Sequence, residues 1–148
     1  MARQHERTLS RKSAVQVLYT GEIRDEKPTK LLKEGDILCL DADLSDYAVM
    51  LIEGVEAHKA EIDERLESIS ENWAVERMPI MDRSILRLAM FEMLHVGDVP
   101  TSVSINEAVE LAKEFGGEDD SPRFVNGMLG RIARQMEAQC AGEESQDA

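Results

Sequence analysis

Residues 80–96 constrain the fold more than any other stretch of the chain. Pro79 sets the start of a helix there, because proline suits the first turn, where its missing N–H is not needed. Gly97 fits the C-terminal cap. Between them Ile85, Leu86, Leu88, Ala89, Met90, Phe91, Met93 and Leu94 make the helix apolar nearly all round. A helix of that kind is stable only when other elements surround it. The rest of the sequence therefore has to supply a wrapping layer.

The patterning supplies it as helices. A first helix is predicted over residues 8–23, with Ala14, Val17, Leu18 and Gly21 on one face. A short helix over 30–33 follows Pro28. A turn over 41–45 leads into a long helix over 45–71, striped by Ala48, Leu51, Ile52, Val55, Ile62, Leu66 and Ile69. Asn72-Trp73 marks its end or a bend, and Trp73 reads as a core or rim anchor. Pro100-Thr101-Ser102 opens a helix that ends at Gly116-Gly117, and Ser121-Pro122 opens the last, over 121–139. No alternating strand pattern and no internal repeat is present. The fold class is all-α: a compact helical bundle forming one domain over 1–140, with an acidic, disordered tail over 141–148. Aromatic residues are 4% of the chain, so Leu, Ile, Val, Ala and Met fill the core. Met78, Met81, Met90 and Met93 fit either that core or a dimer interface.

No run reaches the ~18–20 apolar residues needed to span a bilayer, and no apolar run follows the N-terminus as in a secretory signal. Cys39 and Cys140 lack metal or disulfide spacing, which reads as reduced thiols in the cytoplasm. His5, His58 and His95 belong to no ligand motif, with His58 placed mid-helix. Asp41, Asp43 and Asp46 lack the glycine and glutamate of a calcium loop. The reading assigns no catalytic residue, no metal and no cofactor, and the protein is expected to bind rather than catalyse.

The formal net charge of −13 argues against nucleic acid when taken whole. The charge is polarised, however: Arg3, Arg7, Arg11 and Lys12 cluster at one end, and the last residues carry acids without Lys or Arg. Gln16 and Tyr19 continue the first helix. Asp82, Arg83 and Arg87 are charges set in an apolar helix. Arg123, Phe124 and Asn126 open the last helix, where an aromatic ring can stack on a base and free N–H groups can meet phosphate. Taken singly, Phe124 fits a core aromatic better, and Arg87 a buried salt bridge.

Taken together these segments resemble the NusB family. Ala14-Val15-Gln16-Val17-Leu18-Tyr19, Asp82-Arg83-Ser84-Ile85-Leu86-Arg87-Leu88-Ala89, Ile105-Asn106-Glu107-Ala108-Val109-Glu110-Leu111-Ala112-Lys113 and Phe124-Val125-Asn126-Gly127 match it in order and spacing, over about 7–132. The resemblance implies a bundle of two packed helical subdomains. It implies a transcription antitermination factor that binds boxA RNA of ribosomal RNA leaders with the ribosomal protein NusE, in a complex with RNA polymerase and other Nus factors. Some members also form a homodimer. It places RNA contacts at Arg3, Arg7, Arg11, Lys12, Gln16, Tyr19, Arg123, Phe124 and Asn126, and partner contacts at Tyr19, Asp82 and Arg83. The family often carries further arginines where this sequence has Thr8 and Leu9. Two alternatives stand beside this one: a helical protein-interaction module that binds no RNA, and the NusB-like domain of a ribosomal RNA cytosine methyltransferase, disfavoured by an end at Ala148.

Overall fold

The computed structural model describes residues 2–34, 44–70 and 74–146, with side chains over 5–33, 44–70 and 74–140. Seven α-helices lie among the described residues: α1 (Ala2–Arg24), α2 (Pro28–Glu34), α3 (Asp46–Ala57), α4 (Lys59–Ile69), α5 (Ile80–His95), α6 (Thr101–Phe115) and α7 (Ser121–Gln146). A 3-10 turn at Val75–Arg77 precedes α5, and no strand occurs among these residues. The side chain of Arg3, Cys39, positions 41–43 of the expected turn, Trp73 and positions 147–148 lie outside the described residues.

The apolar helix sits where its composition requires. α5 packs on α1, α3, α4, α6 and α7, and every side chain over 84–93 is buried. The remaining helices divide around it. α1, α2 and α3 pack on one another; α4 and α6 both pack on α7. These are two subdomains sharing one central helix. Met78, Met90 and Met93 are buried in the core and Met81 packs against it, which resolves the methionine question in favour of the core.

Three boundaries differ from expectation. α1 begins at Ala2, because the residues before Thr8 include no glycine or proline to stop a helix. It ends in a Schellman motif: the Glu26 N–H donates to the Gly21 carbonyl (2.9 Å) and the Asp25 N–H to that of Glu22 (3.3 Å), with Asp25 in the left-handed region at φ 55°. α7 runs on to Gln146, beyond 139, with Ala141, Glu143, Glu144 and Gln146 favouring helix and no proline to stop it.

The third difference is the long helix over 45–71, which is two helices meeting at His58. His58 has φ −108° and ψ 15°; its N–H reaches the Gly54 carbonyl, and its own carbonyl accepts from Ile62 N–H at 2.9 Å. The apolar stripe is thin between Val55 and Ile62, so hydrophobic phase did not reveal the change of direction. Phe91 packs against this junction. A Cβ on Gly54 would come within 2.1 Å of the Phe91 ring, so the ring fills the space that glycine leaves. His58 lies 5.8 Å from that ring, centroid to centroid, and His95 5.4 Å. Gly54→Ala therefore overpacks the α3–α5 contact, despite alanine's better helix propensity. The expected cost is about 1–3 kcal/mol, measured by urea unfolding; an unchanged or raised stability would contradict this packing.

Candidate nucleic-acid interface

The basic end of α1 has two sides, and they behave differently. Spacing of four places Arg7 and Arg11 on one face, and both guanidinium groups lie over the Tyr47 ring, at 4.5 Å and 5.7 Å. Arg11 is only 2% exposed. Its Nε donates to Glu92 Oε2 at 2.8 Å, and its Nη1 lies 3.5 Å from Glu107. Glu92, 1% exposed, also accepts from the Tyr47 hydroxyl (2.5 Å) and from Ser104 Oγ (2.6 Å). Burial pushes the Tyr47 hydroxyl pKa well up, and its hydrogen bond to the Glu92 carboxylate pushes the same way. Thr8 donates to Glu107 at 2.8 Å. Arg11 is thus placed in the core rather than on the surface expected for an RNA contact, because a buried carboxylate on α5 needs a cation.

The other side of α1 is open. Lys12, Gln16 and Tyr19 are half-exposed along one stripe, and Leu9 and Ile23 on the same stripe are 49% and 56% exposed. Lys12 pairs with Glu114 at 3.0 Å, and Arg7 with Asp98 at 3.0 Å. Both acids are about half-exposed, and such pairs contribute about 0–1 kcal/mol, so a phosphate can displace them. No comparable exchange is open to Arg11.

Arg123 and Asn126 are exposed at the start of α7. Phe124 is half-buried and packs against the core, so the core reading of its ring holds at least in part. It borders a cavity of about 250 Å³ lined also by Met78, Pro79, Asp82, Glu118, Asp120 and Ser121. This patch is separated from the α1 stripe by α6, which packs on α7 and holds Thr8, Arg11 and Lys12 through Glu107 and Glu114.

The expected partner contacts at Asp82 and Arg83 are largely internal. Asp82 is 3% exposed, and its Oδ1 has no hydrogen-bond partner among the described residues. Burial raises its carboxyl pKa; the neighbouring Ser121 hydroxyl works against that, and the Glu118 charge adds to it. Arg83 is hydrogen-bonded to Glu22 and to the carbonyls of Glu76 (3.0 Å) and Met78 (3.4 Å). Arg87 forks onto Asp63 at 2.8 and 3.0 Å and also binds Glu22, the buried salt bridge its position suggested. Burial would raise the Glu22 carboxyl pKa, but its bonds to Arg83 and Arg87 outweigh this and hold it below the ordinary range. Sequence reasoning missed the roles of Tyr47, Glu92 and Asp63, which only the folded chain brings to their arginines.

The model of the NusB family matches residues 8–134. The chain belongs to the NusB family. The transcription antitermination protein NusB of Kineococcus radiotolerans is 44% identical to it, over 88% of this chain and 95% of that protein. Among solved structures, T. maritima NusB superposes with a TM-score of 0.76 at 34% identity, covering 86% of this chain and 90% of that one. A second similar chain comes from a structure of antitermination factors NusB and NusE in complex with dsRNA, with a TM-score of 0.73 at 27% identity, covering 88% of this chain and 98% of that one. The two-subdomain bundle is therefore the NusB fold.

Two outcomes are expected for this NusB family member. Arg11→Ala strands the Glu92 carboxylate and lowers stability by about 3–5 kcal/mol in urea unfolding, far more than Lys12→Ala. Equal, small losses would show that Arg11 is not structural. Asp82 has a raised folded-state pKa, so its contribution to stability is complete below the unfolded value of about 3.9 and is lost as pH rises through the folded value. The stability of Asp82→Asn relative to wild type should therefore improve as pH rises from acid to neutral, read from Tm against pH. A flat difference would rule this out.

Proposed function

We propose that the protein acts by binding, without catalysis, as a transcription antitermination factor. It takes boxA-type RNA of ribosomal RNA leaders together with NusE and joins RNA polymerase and other Nus factors. The observation that carries this reading is the likeness, over nearly the whole of that chain, to NusB solved with NusE and RNA. The charge distribution supports it. A short basic edge meets phosphate, and an acidic body of net charge −13 suits a basic ribosomal protein.

Lys12, Gln16 and Tyr19 form the RNA stripe, joined by Arg3 and by Arg7 once it is released from Asp98. Arg123 and Asn126 form a second contact, and Phe124 offers the exposed part of its ring. Arg11 orders this edge from beneath by fixing α1 on α5. Tyr19 with the exposed Ile23 gives NusE an apolar foothold, while Asp82 and Arg83 hold the neighbouring surface in place.

The test is fluorescence anisotropy with labelled boxA RNA, as a single strand and as a duplex, with and without NusE, across a salt series. The expected result is weak binding alone and tighter binding with NusE. With three or four phosphate contacts to a single strand, log affinity falls with log salt at a slope of roughly −2 to −3. Lys12→Ala should reduce that slope by about 0.7 and leave Tm unchanged. Failure of RNA and NusE to bind separately or together would overturn the proposal. NusE binding unaffected by RNA would instead indicate a protein-interaction module.

A further inference from the structure

The bend at His58 brings together three side chains that the sequence keeps apart. His58 is the single residue between α3 and α4, Glu61 lies in the first turn of α4, and His95 is the last residue of α5. Their donor atoms lie within 4.8 Å of one another. His58 Nδ1 is 3.3 Å from Glu61 Oε2, and His95 Nε2 is 3.5 Å from the same oxygen. We propose that His58, Glu61 and His95 form a site for one divalent transition-metal ion of the zinc class.

The distances favour a metal over a hydrogen-bonded cluster. A charge-assisted hydrogen bond would draw nitrogen and oxygen to about 2.7–2.9 Å. Bonds of roughly 2.0–2.1 Å to a tetrahedral zinc ion hold neighbouring donor atoms roughly 3.3–3.4 Å apart. The two nitrogen–oxygen spacings, 3.3 and 3.5 Å, lie at or just above that edge, and all three donor atoms lie within 4.8 Å of one another. The two imidazoles stack with centroids 4.0 Å apart and planes 24° apart, so the side chains must rotate to turn both ring nitrogens onto one ion. Phe91 backs both rings, and Gly54 leaves the space that holds Phe91 in place.

The donor set selects the class of ion. Two imidazole nitrogens and one carboxylate oxygen suit zinc, nickel, cobalt or copper; calcium and magnesium prefer all-oxygen sites. The three side chains are 40%, 46% and 31% exposed, so an ion can enter from solvent, with water completing its coordination. Bound there, it would tie α4 and the α3–α4 bend to the end of α5.

The test titrates the full chain, cleared of metal with a chelator, with zinc chloride alone by calorimetry, and follows Tm in parallel. One ion per chain and a zinc-dependent rise in Tm are expected; magnesium or calcium chloride at the same concentration should give neither. Glu61→Gln and His95→Ala should each weaken zinc binding by about tenfold or more and remove the Tm rise. Their melting without metal reports whether they fold, and Glu61→Gln changes only an exposed side chain. The paired change Cys39→Ser and Cys140→Ser should leave zinc binding intact. Loss of binding in that thiol variant, undiminished binding in His95→Ala and Glu61→Gln, or no heat from the wild type would each overturn the proposal.

Discussion

A carboxylate near the C-terminal end of the central helix governs how the bundle assembles. Glu92 carries a charge into a mainly apolar core, and leaving such a charge unmatched is far costlier than leaving a polar surface group without a partner. Its three donors come from different helices: Arg11 from α1, Tyr47 from α3 and Ser104 from α6. Apolar side chains alone tolerate sliding and repacking, whereas directed hydrogen bonds do not. Glu92 therefore fixes the register of three helices against the fourth. A second network does the same at the middle of α5, where Arg87 joins Asp63 of α4 to Glu22 of α1.

These networks explain why the basic edge of α1 is compound. Cations four residues apart share a helix face, whereas adjacent ones point in different directions, and packing decides which face is buried. Arg11 turns inward to Glu92, while Lys12 turns outward. Thr8, between these cations, serves the inner network by donating to Glu107 of α6.

The all-α class and the burial of α5 were legible because they rest on periodicity along one segment. Pro79, Gly97 and Ser121 punctuated the chain for reasons local to the backbone, and those landmarks fell at or next to element ends. The bend at His58 was not legible. The packing beside it, Phe91 against Gly54, is a contact between positions far apart in sequence. The same limit applied to Arg11 and Arg83. A basic residue in a helical pattern is equally consistent with solvent, RNA or a buried acid, and their acids, Glu92 and Glu22, are distant along the chain. The gathering of His58, Glu61 and His95 escaped pattern reading for that reason too.

The bend has a mechanical consequence. It takes place within one residue whose own N–H and carbonyl both remain hydrogen-bonded, so the two subdomains meet there through an elbow rather than a slack linker. α3 packs on α1 and α4 rests on α7, so this elbow joins through the backbone the two groups of helices that α5 already joins through the core.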